Sequence, residues 1–111
     1  MRALVFLCSL IVSTNALALE FQDKQYKNGE QLLSMCTGQD HWQVMCLGYI
    51  AGAADMYLIQ NPECNPQNHP LNALQDQLVK LLKRKKDLRV SSAGYATAVL
   101  FRLAFSCGSL E

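Results

Sequence analysis

An all-α fold, a small antiparallel four-helix bundle held by two disulfides, follows from three features of the 111-residue chain. Apolar residues recur at three-and-four spacing in four separate segments, the mark of helices with one buried face. No segment sustains two-residue alternation, so a sheet is not expected. Once an N-terminal leader is set aside, the even number of cysteines suits two bridges in a small exported chain.

The leader is residues 1–18. Met1-Arg2 makes a positive start, Ala3 to Val12 is an apolar run too short to anchor in a membrane, and Ala16-Leu17-Ala18 is a small-x-small cleavage site. Cleavage predicts one mature domain, residues 19–111, destined for an oxidising compartment. Loss of Cys8 with the leader leaves Cys36, Cys46, Cys64 and Cys107, and loss of Arg2 leaves nine basic against nine acidic residues. A neutral balance argues against bulk nucleic-acid binding.

In chain order, 19–27 is an extended lead-in. Asn28 with Gln31 makes a capping box for a first helix through Leu32, Leu33 and Cys36, and Gly38 is the expected left-handed terminator. Asp40 with Gln43 repeats the box for a second helix, which Asn61-Pro62 stops. Trp42, Met45, Tyr49, Gly52/Ala53, Met56 and Ile59 then fall on one face of that helix, expected to be its core face. Gly48 and Gly52 would each cost about 1 kcal/mol relative to Ala in a free helix. They are expected where a neighbouring helix crosses closely. At sixteen residues with Asp55 inside, the run Val44–Ile59 is too short for a membrane span.

Residues 61–69 read as a loop. Pro70 opens a third helix, with Asn68 or His69 as cap and Leu71, Leu74, Leu78 and Leu81/Leu82 as its stripe. Residues 83–89 form a charged turn. Ser91 or Ser92 caps a fourth helix with the face Tyr95/Ala96, Val99/Leu100 and Leu103, flanked by Phe101 and Phe105.

Antiparallel neighbours select the disulfides. Cys46 and Cys64 are separated by helix worth roughly 21 Å, and the four residues after Gln60 return at most about 14 Å. That bridge is therefore poor. Cys36 and Cys46 share one end of the bundle, and Cys64 and Cys107 the other. These two bridges are worth about 3 and about 4 kcal/mol in the loop-entropy model.

No catalytic constellation emerges. His41 and His69 lack a ligand-spaced partner, so no metal or cofactor is expected. Bridged cysteines have no thiolate, and no Gly-x-Ser-x-Gly elbow surrounds a serine. Asp55 and Asp40 lie about 22 Å apart on one helix, beyond the roughly 5–10 Å of paired-carboxylate hydrolysis. Asp55, one position off the apolar face, reads better as a buried acid paired to Tyr95, a lysine or the lead-in backbone. Six basic residues cluster at Lys80, Lys83, Arg84, Lys85, Lys86 and Arg89. Complementing a helix dipole needs only one or two charges, so the cluster also suits an acidic protein surface or anionic lipid.

Leu32-Leu33-x-x-Cys36, Cys46-x-Gly48-Tyr49-Ile50-x-Gly52-x-x-Asp55, Cys64-x-Pro66 and Phe105-Ser106-Cys107 together resemble the Tai-type immunity proteins, periplasmic antidotes to type VI secretion amidase effectors. The resemblance runs from Gly29 to Cys107. It implies an all-helical, often dimeric, non-catalytic protein that binds a peptidoglycan amidase and obstructs its substrate groove. Tyr57 and Phe101 would suit a dimer seam. The chain departs from the family pattern near Lys86 and at Ser106, where a proline is common. Tight inhibition needs a preorganised protrusion, which nominates Glu63, Asn65, Gln67 and Asn68 as partner-binding residues. The turn bearing Lys83, Arg84, Lys86 and Arg89 is nominated second.

Two other readings fit the composition. An HdeA-like periplasmic acid-stress chaperone would unfold and expose apolar faces at low pH, whereas two disulfides and few titratable groups predict a fold that survives acid. A lipid- or wall-binding module would rest on the basic turn alone and show salt-sensitive vesicle binding.

Overall fold

A computed structural model describes residues 27–67 and 69–108. The leader 1–18, the lead-in up to residue 26, and Asn68 lie outside the described residues.

The described residues form five helices and one two-stranded sheet. The elements are α1 (Gly29–Cys36), α2 (His41–Gln60), β1 (Cys64–Asn65), α3 (Leu71–Arg84), α4 (Lys86–Val90), α5 (Ala93–Ala104) and β2 (Ser106–Cys107). This corrects the expectation of four helices and no sheet in two places. The charged turn holds α4, one turn of helix that buries Leu88 in the core. Cys64 and Asn65 pair antiparallel with Cys107 and Ser106. Strands of two residues are too short to leave an alternating pattern, so the sequence could not announce them.

The Asn28 capping box forms as the residue types require. Gln31 N donates to Asn28 Oδ1 at 2.8 Å, and Asn28 N donates to Gln31 Oε1 at 2.9 Å. Such a cap is worth about 1 kcal/mol. The second box does not form. Asp40 occupies the N-cap position of α2 at φ 57° and makes no side-chain cap. Asp40, not Gly38, is thus the left-handed residue of the α1–α2 corner. Gln43 turns back instead, its Nε2 donating to Cys36 O at 3.1 Å and to Gly38 O. From α3 the buried Gln75 donates to Cys36 O at 3.2 Å and to Gln43 Oε1 at 2.6 Å. Two amides therefore satisfy the carbonyls where α1 ends, a need every helix C-terminus has.

Pro70 stands just before α3 as its N-cap residue without a side-chain cap. Leu74, Leu78, Leu81 and Leu82 are buried as the stripe predicts, and Leu71 is partly exposed. Ser92 caps α5, its Oγ accepting from Tyr95 N at 3.1 Å. The buried side of α5 is Ala93, Ala96, Thr97, Leu100 and Phe101, while Tyr95 and Leu103 point outward. Phe101 and Phe105 are therefore core, stacked at 5.0 Å with Tyr57 against both. Phe101, 1% exposed, is closed to any dimer seam.

The largest correction concerns α2. Its inward residues are Cys46, Ile50 and Ala54, with Tyr49, Ala53, Tyr57 and Leu58 packed beside them. Trp42, Met45, Gly52, Met56 and Ile59, expected in the core, are exposed. Among the described residues no helix crosses at Gly48 or Gly52: a Cβ on either would meet nothing within 4 Å. Asp55 is exposed rather than buried. Because α2 is apolar on every side, spacing alone cannot choose its inner face. The Cys36–Cys46 bridge does so, turning Cys46 toward α1 and, at four-residue intervals, Ile50 and Ala54 with it.

Candidate partner-binding surface

Two disulfides fix the ends of the surface. Cys36 joins Cys46 with a Cα separation of 5.0 Å, and Cys64 joins Cys107 at 3.8 Å. These are the pairs that the end-matching argument selects.

The second bridge and the β1–β2 pair hold the segment 61–67 against the end of α5. Asn61 ties its start to α2, its N and Nδ2 both donating to Tyr57 O, at 2.9 and 2.8 Å. Cys64 N donates to Asn61 O at 2.9 Å, and Gln67 N to Asn65 Oδ1 at 2.8 Å. Gln67 takes a left-handed conformation, φ 58°. Glu63, Asn65 and Gln67 project into solvent from this braced backbone.

The basic residues occupy a different place. Lys83 and Arg84 end α3, Lys86 opens α4, and Lys80 and Lys83 to Lys86 are exposed. Helix α3 is fourteen residues long, which separates this turn from the 61–67 end by roughly 21 Å. The two nominated groups are therefore distinct patches. Arg89 differs from the other cations. Its Nη1 donates to Leu82 O at 2.7 Å and Lys83 O at 3.0 Å, and its Nε lies 3.5 Å from Glu30 Oε1. It satisfies the C-terminal carbonyls of α3.

A third surface escaped sequence reasoning because its residues were assigned to the core. Gly48, Tyr49, Gly52, Ala53 and Met56 line a shallow concavity of about 370 Å³ on α2. A second, of about 180 Å³, shares Ala53 and Met56 and crosses to Gly94 and Ala98 of α5. Burial raises the pKa of the Tyr49 phenol above its usual value. The cysteine was the signal that could have exposed this face, since it dictates which side of α2 turns inward.

All four described cysteines are bridged. Among the described residues no group of three His, Cys, Asp or Glu could hold a metal ion. His41 lies against Trp42 at 4.5 Å and His69 near Phe105 at 6.4 Å. Among the described residues no helix is long and apolar enough to cross a membrane.

No curated protein and no solved structure matches the chain. A family model does: that of the Rap1a immunity proteins, a type VI secretion immunity family whose members are generally non-enzymatic, matches residues 28–107. The match begins at the Asn28 cap of α1 and ends at the Cys107 bridge, so it takes in every described helix. The chain belongs to the Rap1a immunity protein family.

Proposed function

We propose that this protein is the periplasmic antidote to a type VI secretion peptidoglycan amidase, exported by cleavage of residues 1–18 and acting by occupying the toxin's substrate groove. Family membership supports neutralisation of a toxic effector. The choice of a cell-wall amidase rests on the resemblance of the Cys46–Asp55 block to Tai-type proteins. Export rests on the leader pattern and on two disulfides that belong to an oxidising compartment.

The observation that carries the blocking mode is the braced 61–67 segment. Glu63, Asn65 and Gln67 are exposed, yet the backbone is tied to α2 through Asn61 and to β2 through Cys64 and Asn65. A protrusion already held in one conformation loses little entropy on entering a groove, which favours tight binding. Glu63, Asn65 and Gln67 are its contact groups, and the exposed cations Lys83, Arg84 and Lys86 form a second, steering patch.

The test mixes the purified protein with the cell-wall amidase encoded beside it. Nanomolar binding and loss of peptidoglycan hydrolysis are expected, both weakened by changing Glu63 and Asn65 together. No association at micromolar concentration would rule the reading out.

A further inference from the structure

Between α2 and α5 runs a groove that ends at the base of the 61–67 segment. It consists of two adjoining concavities. The upper one, of about 180 Å³, is walled by Ala53, Met56, Gly94, Ala98 and Phe101. The lower, of about 290 Å³, is lined by Asn61, Tyr95, Val99 and Arg102, and Tyr57 and Ala98 belong to both. The Cys64–Cys107 bridge and the β1–β2 pair set the C-terminal ends of α2 and α5 side by side. The groove therefore descends from Ala53 and Gly94 to Asn61 and Arg102, eight residues along each helix. That is about 12 Å, the span of roughly four residues of extended chain.

The upper end is apolar and needs nothing polar from a ligand. Small residues at Ala53, Gly94 and Ala98 leave it open, and a Cβ on Gly94 would meet nothing within 4 Å. Thr97 in its floor is buried, and its Oγ1 donates to Gly94 O at 2.9 Å, within its own helix. The Tyr57 wall is fixed by Phe101 at 5.5 Å and Phe105 at 6.1 Å. An apolar cavity of about 150 Å³ accommodates a benzene ring, so this end matches one leucine- or phenyl-sized side chain.

Polar groups converge at the lower end. Asn61 Nδ2 donates to Tyr57 O at 2.8 Å, which leaves Asn61 Oδ1 as an acceptor facing a ligand's N–H. Arg102 is the single charged residue in either lining and is exposed. The one ion pair among the described residues belongs to Arg89, not to Arg102. A guanidinium is permanently charged and presents its donors as a planar fork that fits a carboxylate. Tyrosine and arginine are also the residue types that carry binding energy at protein interfaces. The groove thus asks for an apolar side chain at one end and an anion at the other.

We infer that this groove receives an extended acidic segment of the toxin, with an apolar side chain seated between Ala53 and Ala98 and a carboxylate on Arg102. The inference rests on the reading of the protein as an antidote. Charge selects an acidic segment over a basic one. Continuity selects the toxin, because Asn61 both lines the groove and begins the braced segment, so a toxin that takes in 61–67 brings its rim over Arg102.

Two variants test it against the cell-wall amidase encoded beside the protein. Arg102→Gln removes the charge and keeps most of the stem. Gly94→Gln fills the upper end from a position with open space, where a side chain favours the helix. Each should raise the dissociation constant at least about tenfold, with a urea midpoint no lower than that of the unaltered protein. Arg102→Gln should act chiefly through faster dissociation, as loss of a desolvated charge pair does. Undiminished affinity in either variant would overturn the inference and leave neutralisation standing, whereas failure of the unaltered protein to bind would remove both. A weakening that tracks a change in oligomeric state would overturn it by assigning the groove to a second copy. A loss of stability shared by Arg102→Gln and removal of residues 109–111 would overturn it by assigning the groove to the chain's own tail.

Discussion

A methyl group on Gly29 would collide with the carbonyl oxygen of Leu88 and lie 2.8 Å from Arg89 Cα. Glycine is thus required at the first residue of α1, because the backbone of α4 rests on it. Gly29 N also donates to Ser91 O at 2.8 Å, and Ala93 N to Lys27 O at 2.8 Å, so the α4–α5 corner is fastened to the start of the domain. Gly29→Ala should destabilise the protein by about 1–3 kcal/mol or more, since both obstructing groups are main chain and cannot turn aside. Urea unfolding checks this: the midpoint should fall with an unchanged slope.

Gln75 should be nearly as sensitive for a different reason. It is a buried amide that holds Gln43 and shares Cys36 O with it. Gln75→Leu removes the donor to Gln43 Oε1 and leaves that oxygen facing an apolar neighbour. A loss of about 1–3 kcal/mol is expected. A double-mutant cycle with Gln43→Ala should show that the two losses are not additive, because both amides serve one network.

Gly48 and Gly52 should respond in the opposite sense to Gly29. Alanine has open space at both positions, and glycine inside a helix costs about 1 kcal/mol relative to it. Gly52→Ala should therefore raise the stability of the protein by up to about 1 kcal/mol, some 4–8 °C in melting temperature for a domain of this size. Thermal melting followed by circular dichroism is the appropriate measurement.

What could be read from the chain divides along a physical line. The Asn28 box, the Leu74–Leu82 stripe and the Ser92 cap depend on residues within one turn, and short-range rules suffice for them. Cys36–Cys46 and Cys64–Cys107 needed only chain lengths and helix rise. The inner face of α2 was not legible from periodicity, because apolar side chains surround the helix. Gly29 was equally silent, since its requirement comes from α4, nearly sixty residues away in sequence. Helix α4 was hidden because five of the seven residues in 83–89 are cations and a sixth is Asp87, and one buried leucine carries its packing. For the binding surface, residue type identified exposed loops and charges. It could not reveal that Arg89 is taken up by α3 or that the apolar outer face exists.

The cations of the α3–α4 turn should separate into two classes on mutation. Arg89 donates to Leu82 O and Lys83 O and pairs with Glu30, so Arg89→Ala leaves two helix-terminal carbonyls short of a donor. It should cost about 1.5–3 kcal/mol, the range for hydrogen bonds made by a charged group. The Glu30 contact contributes little, its carboxylate being two-thirds exposed. Lys83→Glu and Lys86→Glu remove no hydrogen bond among the described residues and should change stability by less than about 0.5 kcal/mol. Their effect belongs to the encounter with an acidic partner: each should slow association about tenfold at low salt and much less at high salt. Denaturation and stopped-flow association with the toxin, run on the same three variants, check both halves. A large stability loss from Lys83→Glu, or an association rate indifferent to its charge, would show that the turn does not steer.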